Sequence, residues 1–551
     1  MLLNKRKINK FFNEESLFFK NIHLLGLISL WLLACVLTFF HLGDLPLRDF
    51  DEATVARVSF ELSNKEGINQ LMPTLWGDEY LNKAPGLHWL ISYFIKLNQF
   101  YSSSAGLIPS EFIIRCAPAF LSTLVVPLGG LIQAQLLPKD RTASFATAGI
   151  LLTLLPIVRT GRLAMLDGTQ LSAFALFWFF LISLEQTPRK KLFCFSAGLV
   201  GSVFLLLKAP LLLPAITAAI IPIFLLSKRI NLSISLILYF LLGLIPGASW
   251  HFWHISQRGI RALWLWGGDG ATRVLFDAGE GSDLGFLVPL IELLEGSWPW
   301  LLLLPFGIFF ALNQRHTKWG QWVLSMQFIL LISILPLKTQ LPWYSHPLWL
   351  PFSLLCGVPL SWLINRAGYK HIFSSIGLTT VPYACQYLGL LIVILALLGA
   401  FNLFQPIAIY SHIAFIAGLS WFVGGFMLSR ALKHNRIMGA ITIFSGSFCA
   451  LLLLMGSNFW LWELNENWPV KPVSRMVSNI QYSNVFIDDF ERPSLNWYGV
   501  KKIRSIDEFS SSSESFVLTR SPLDVERKLP ETNCRLVKNR GEWSLMLCSN
   551  Q

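Results

Sequence analysis

Thirteen long apolar stretches, separated by short polar loops, dictate what this chain can fold into. They lie near residues 21–42, 111–137, 143–159, 166–184, 191–207, 209–226, 232–252, 297–312, 320–337, 345–364, 384–402, 409–429 and 437–457. A helix needs roughly 20 apolar residues to cross a bilayer, and its backbone polar groups must be satisfied within the segment. Charge is correspondingly scarce. Of 551 residues, 54% are hydrophobic and 14% charged, a balance that excludes a soluble protein of this size. The expected fold is a polytopic α-helical membrane protein. The net charge of +12 does not point to nucleic acid, because Lys and Arg are dispersed among the loops. Anionic headgroups and the positive-inside rule account for them there.

The side of each loop follows from its charge. The basic start "MLLNKRKINK" precedes the first run, and no small-residue cleavage site follows it, so an uncleaved anchor with a cytoplasmic N-terminus is expected. With thirteen spans, "PKDR", "QTPRKK", "SKR", "NQRHTK", "NRAGYKH" and "SRALKHN" all face the cytoplasm. The run "PGLHWLISYFIKL" (85–97) is short for a span, and counting it would turn all these loops outward. It is therefore expected to lie on the outer surface. The expected site is a multi-pass protein of the cytoplasmic (inner) membrane.

The opposite loops then hold the unusual polar residues: Asp49, Asp51 and Glu52, "YLNKAPG" (80–86), Asp167, Lys208, the segment 251–296, and "KTQLPWYSH" (338–346). A charge at the edge of a span is costly unless it snorkels, pairs or works. Snorkelling alone would explain Lys208 or Lys338 taken singly. "DEATVARVSFEL" reads as a short amphipathic helix with Val55, Val58 and Leu62 on one face. Capping would explain Asp51 at its start, but not the adjacent Glu52. The coincidence of several such sites on one side is what points to function.

The order of these segments resembles a known family. "DEA" with its short helix and then "PTLWGDEYLNKAP" are similar to the membrane glycosyltransferases of GT-C type. The nearest branch includes the undecaprenyl-phosphate aminoarabinose transferases of lipid A and the protein O-mannosyltransferases. "GRLAMLDGTQLSAF" (161–174), "LLLKAPLLLP" (205–214) and "LPLKTQLPWYSHPLWLP" (335–351) follow in the family's order. The resemblance covers about residues 20–365. Departures are specific: Asn82 stands where many relatives have Glu, Thr54-Val55 where the lipid A branch has Arg-Tyr, and Gly270 where that branch has His, while Arg273 matches its Arg.

The resemblance implies transfer of a sugar from a polyprenyl-phosphate donor to a hydroxyl outside the cytoplasmic membrane, by a direct inverting displacement. On that reading Asp51 is the general base and Glu52 orients a loop or the acceptor. Lys83, Lys208, Arg273 and Tyr344 hold the donor phosphate. Asp167, Asn82 and Tyr80 meet the sugar or acceptor, and apolar flanks near 85–97 line a lipid groove. No metal and no cofactor are expected, since two family ligands are missing together. The Trp-rich stretch 249–268 has two readings, an interfacial belt or sugar stacking. "DFD" (49–51) mimics the Asp-x-Asp of nucleotide-sugar enzymes, but nucleotide sugars are not supplied outside. His251 and His254 lack neighbouring ligands at metal spacing.

Residues 463–551 change character and are expected to form a small extracytoplasmic α/β domain after a membrane domain, 1–462, whose outer loop 43–110 carries the motif. "NVFIDD", "SFVLTR", "CRLV" and "WSLMLC" read as strands, "PVSRMVSNI" and "DVERKL" as helices, and "SSSSE" (510–514) as a loop. A hairpin with the three-residue loop Arg540–Glu542 pairs Asn539 with Trp543 and sets Cys534 opposite Cys548, predicting a disulfide. Two free thiols in another register remain the alternative. The competing function classes are a transporter or flippase of lipid-linked sugar and a non-catalytic scaffold. The expected partners are the lipid-linked donor, an unidentified hydroxyl acceptor and the bilayer, with no nucleic acid and a monomeric chain.

Overall fold

The computed structural model describes residues 3–102, 108–225, 233–266, 287–338, 340–366, 377–460, 470–478, 480, 484–509 and 515–550. The chain divides into two compact units. The first holds Met1–His41, Leu81–Leu87 and Pro118–Trp460; the second holds Leu42–Tyr80, His88–Ala117 and Leu461–Gln551.

The first unit is helical. Among the described residues of the whole chain, nine helices are long and apolar enough to cross a membrane, and two further pairs pass together but bend by 57° and 107°. The bent pairs, Arg141–Thr153 with Leu155–Gly161 and Val288–Gly296 with Trp300–Asn313, cover the runs expected at 143–159 and 297–312. The first bend falls at Leu154, which is extended (φ −78°, ψ 117°) just before Pro156, a residue that cannot donate into a continuing helix. Lys318–Ile334 has 17 residues, slightly short of a crossing. Lys190–Leu225 runs for 36 residues, about 54 Å of helix against a hydrocarbon core of about 30 Å. Lys208 interrupts it with φ −146° and ψ 87°, so it accounts for the runs expected at 191–207 and 209–226.

Small residues let these helices approach. A Cβ on Gly198 would collide with the Phe240 carbonyl, and one on Gly243 with that of Phe195, as expected where packing rather than hydrophobic segregation joins helices. Trp349–Asn365 is the core, with every residue from Trp349 to Ile364 buried. Arg162 is wholly buried as well. Its guanidinium donates to the carbonyls of Leu37 (3.0 Å), Thr38 (3.1 Å), Phe40 (2.7 Å), His41 (3.2 Å) and Met455 (3.4 Å). It also lies over the Trp460 ring at 4.7 Å. A cation suits the last carbonyls of a helix, whose acceptors lack intrahelical donors and whose dipole end is negative.

The second unit joins the motif-bearing segment with a small sheet. β1 (Thr74–Leu75) and β2 (Asp78–Glu79) form a minimal hairpin. β3 (Asn484–Ile487), β4 (Arg504–Ser505), β5 (Ser515–Thr519), β6 (Thr532–Arg540) and β7 (Trp543–Asn550) form a mixed sheet of order β4-β3-β5-β7-β6. Alternation puts Val485, Ile487, Leu518 and Leu545 on one face, against Val473, Val477 and Leu495. Phe486, Val517 and Met546 face the other side, against Val525. Three short elements in residues 463–551 are not among those expected, the two-residue β4, the helix Pro493–Gly499 and the 3-10 turn Ile506–Glu508, all too short for a periodic signal. The expected loop 510–514 lies outside the described residues.

The β6–β7 hairpin is tighter than expected. Arg540 pairs with Trp543, leaving the two-residue turn Gly541-Glu542, and Gly541 has φ 59°, the corner a II′ turn requires. An irregularity between Leu536 and Lys538 absorbs the extra residue, so Cys534 still faces Cys548. Their sulfurs are bonded, with Cα atoms 4.1 Å apart.

Candidate active site

The segment 47–52 enters the helix Asp51–Ser63 through a strained turn. Phe50, the residue before the helix, has φ 54° and ψ −64° and gives no side-chain cap. The Asp51 N–H donates to the Asp49 carbonyl at 2.6 Å, closing a γ-turn of the rare positive-φ kind. Asp51 is therefore the first helical residue rather than the cap, and it is half-buried. The cost of such a turn for a non-glycine residue is of order 1–3 kcal/mol, borne by the surroundings.

Those surroundings are specific. Glu52 is fully buried. It accepts from the Arg48 N–H at 2.9 Å and from Arg115 at 2.8 and 2.7 Å. The remaining Arg115 donors reach the carbonyls of Leu42 (3.0 Å), Leu45 (2.8 Å) and Pro46 (2.7 Å). All five guanidinium N–H groups are thus engaged. Asp49 is also buried. It accepts from the Ser494 N–H at 2.9 Å and the Phe50 N–H at 3.2 Å, with Arg492 at 3.4 Å. The Tyr498 hydroxyl accepts from the Leu47 N–H at 2.6 Å and donates to Glu111 at 2.8 Å, and Lys471 pairs with the same carboxylate. Burial, with the Glu111 charge beside it, pushes the Tyr498 phenol far up, so it stays protonated and able to donate.

The helix then presents Val55, Val58 and Leu62 to its own unit, all buried. Tyr80 packs on Val58 and Leu62, with its ring 5.6 Å from that of His88. Glu61 does work that no sequence signal announced. It accepts from Arg57 (2.8 Å), the Thr74 hydroxyl (2.6 Å) and the N–H groups of Trp76 (2.7 Å) and Gly77 (3.3 Å). Trp76 and Gly77 have φ 56° and 85°, the pair a I′ turn demands. Arg57 stacks over the Trp76 ring at 3.6 Å. Burial pushes the Glu61 carboxyl up, but Thr74, Arg57 and Gly77 outweigh it and hold it below its ordinary value. At the hairpin's tip, the hydrogen bond and charge of Lys502 (2.9 Å) hold Asp78 down.

In the first unit, the segments carrying Lys83, Lys208 and Tyr344 come together. A Cβ on Gly86 would meet the Leu206 carbonyl oxygen at 2.7 Å, so "NKAPG" lies against "LLLKAP" where only glycine fits. Lys208 lies over the Tyr344 ring at 4.7 Å. Gln340, fully buried, donates to the carbonyls of Ile334 (2.8 Å) and Leu337 (2.7 Å) and so fixes the turn before Tyr344. Lys83 is half-buried and Asn82 exposed. Asp167 is half-buried in the first turn of Leu166–Ser183. An apolar cavity of about 420 Å³ adjoins this segment, walled by Leu290, Phe328, Leu331, Ser345, Leu348 and Phe352.

Arg273 and Gly270 lie outside the described residues. Of the Trp-rich stretch, Trp250 is buried and stacks on His254 at 4.6 Å, while His251 meets the Leu205 carbonyl at 2.9 Å. Among the described residues, no three His, Cys, Asp or Glu side chains converge as metal ligands.

The fold has solved counterparts. ArnT from Cupriavidus metallidurans, bound to undecaprenyl phosphate, superposes with a TM-score of 0.67 at 15% identity, covering 95% of this chain and 98% of that one. Its apo state gives 0.68 at 14%, with the same coverage. The archaeal oligosaccharyltransferase AglB from Archaeoglobus fulgidus, in complex with an inhibitory peptide and a dolichol-phosphate, gives 0.50 at 10%, covering 97% of this chain and 75% of that one. No protein-family profile and no curated protein matches the sequence. The likeness is one of fold, and it runs nearly the whole length: the chain has a GT-C-type fold with a small C-terminal sheet.

Proposed function

We propose that this chain is an integral-membrane glycosyltransferase that moves a sugar from a polyprenyl-phosphate donor to a hydroxyl of a lipid, glycan or protein acceptor on the extracytoplasmic face of the cytoplasmic membrane. The observation that carries the reading is the near-full-length likeness to an ArnT structure holding undecaprenyl phosphate. The family motifs read from the sequence support it.

Asp51 takes the acceptor's proton as the acceptor oxygen attacks the anomeric carbon. The bond from that carbon to the phosphate oxygen breaks, and the polyprenyl phosphate leaves as an anion. Attack opposite the leaving group inverts the configuration. Lys83, Lys208 and Arg273 meet the phosphate, and fixed cations there act on charge that grows in the transition state. Tyr344, beside Lys208, offers a hydroxyl to the phosphate or sugar. Asp167, Asn82 and Tyr80 serve the sugar or the acceptor. The cavity beside Ser345 suits an isoprenoid tail. Glu52, locked to Arg115, orients the loop rather than meeting substrate.

The test is turnover by purified protein in detergent. Undecaprenyl-phosphate hexose, pentose and aminopentose are offered in turn with a total lipid, glycan and envelope-protein extract, in the presence of EDTA. A transferase releases undecaprenyl phosphate and adds sugar mass to one acceptor. A flippase consumes none in that assay but moves the lipid across vesicles once reconstituted, and a scaffold does neither.

A further inference from the structure

We infer that the helix Pro493–Gly499 of the C-terminal segment is a positioning device for Asp51, with Asp49 and Tyr498 as its two points of attachment. The inference rests on the reading of Asp51 as the base.

The reasoning begins with an unmet need at that helix. Its first N–H groups have no intrahelical partner. Its own preceding residue, Arg492, gives no side-chain cap. The cap comes instead from Asp49, whose carboxylate accepts the Ser494 N–H at 2.9 Å across 445 residues of chain. Arg492 adds its charge to the same carboxylate at 3.4 Å. One turn further along, the Tyr498 oxygen accepts the Leu47 N–H at 2.6 Å. The helix therefore grips the motif segment on both sides of Arg48, while Glu52 and Arg115 grip it from the other end.

What lies between the grips is the strained element. Phe50 at φ 54° would relax toward ordinary backbone if released. The Asp49 side chain is bonded outward to the helix, and its carbonyl is bonded to the Asp51 N–H. Asp49 thus transmits the helix's hold to the residue proposed to take the proton. A base displaced by about an ångström loses roughly 10²-fold in rate. Asp49 and Tyr498 are in this sense positioning residues, acting through Asp51 without touching substrate.

Hydrogen exchange and turnover on the full-length protein test this together. Asp49→Ala and Tyr498→Phe should each speed exchange in the peptide 47–53 by about tenfold, leaving the membrane helices unchanged. Turnover should fall at least tenfold, while binding of undecaprenyl phosphate stays at the wild-type level. Asp49→Asn keeps an oxygen for the Ser494 N–H and should recover most of both losses. This variant also guards against misfolding of Asp49→Ala. In an Asp51→Asn background, Asp49→Ala should cost no further turnover, because it acts through the missing group. Unchanged exchange in 47–53, or faster exchange with normal turnover, overturns the inference. Normal turnover in Asp51→Asn alone overturns the base assignment instead, and the exchange result then stands as a measurement of the turn.

Discussion

Asp51→Asn keeps the side chain's shape and removes its basic charge. If Asp51 takes the acceptor's proton, turnover falls by about 10²-fold or more, with donor affinity little changed. If Lys83 meets the donor phosphate in both ground and transition states, Lys83→Ala lowers donor binding and turnover together. Steady-state kinetics beside a melting curve separate the two, and near-normal turnover in a folded Asp51→Asn protein eliminates it as the base. The sequence made Asp51, Lys83, Lys208 and Tyr344 visible because charge and aromatic polarity stand out against apolar runs. It could not divide the labour within "DFDE". Asp49, Asp51 and Glu52 are chemically alike on paper, and what separates them is a partner far away in the chain: Ser494 for Asp49 and Arg115 for Glu52. Glu61 was invisible for the same reason, since its hairpin partners Trp76 and Gly77 lie across a turn.

The two hairpins carry tests of their own. In β6–β7 the bulge at Val537, not the turn, restores the cysteine register. Deleting Val537 should therefore leave a regular ladder with Cys534 still opposite Cys548. Intact-mass analysis after alkylation without reductant should find no alkylated pair, whereas a three-residue loop with a regular strand would be thrown out of register by that deletion. The sequence carried the pairing of the cysteines but not the compensating turn and bulge, because both arrangements bring the same residues together. In β1–β2 the control is a proton. The Glu61 carboxyl is held below its ordinary value when folded. Its contribution is therefore complete above the unfolded value, near pH 4.3, and is lost as pH falls through the folded one. Glu61→Gln at pH 7 removes the charge from these bonds at every pH and should weaken the hairpin by on the order of 1.5–3 kcal/mol. Hydrogen exchange at residues 74–79 would report it, and equal protection in the variant and wild type would remove Glu61 as the hairpin's anchor.

At the scale of the molecule, helix order was legible because crossing a bilayer leaves a long, charge-poor imprint; their number was less so, since against thirteen expected runs the described residues hold nine crossing helices, or eleven with the two bent pairs. Burial was not legible. Trp349–Asn365 and Val381–Ala400 are both apolar throughout, yet the first is buried along its length and the second is largely exposed. Lipid and protein interior select the same residues, so hydropathy cannot tell them apart. The sidedness behind the proposed site has a direct check. Lys139→Cys should resist an impermeant thiol reagent added to intact cells, and Lys83→Cys should react. Labelling at 139 would invert the topology and move every proposed phosphate ligand to the cytoplasm.

The Arg162 clasp also has a timetable. Four of its carbonyl partners, in Leu37 to His41, are made before it. The fifth, Met455, follows 293 residues later. At the usual pace of synthesis, about 5–20 residues per second, that interval is on the order of 15–60 s. Throughout it Met455 and the Trp460 ring do not yet exist, so the clasp cannot be complete. The first unit's clasp thus needs residues from both its beginning and its end, so a chain whose synthesis stalls in between lacks the groups that complete it.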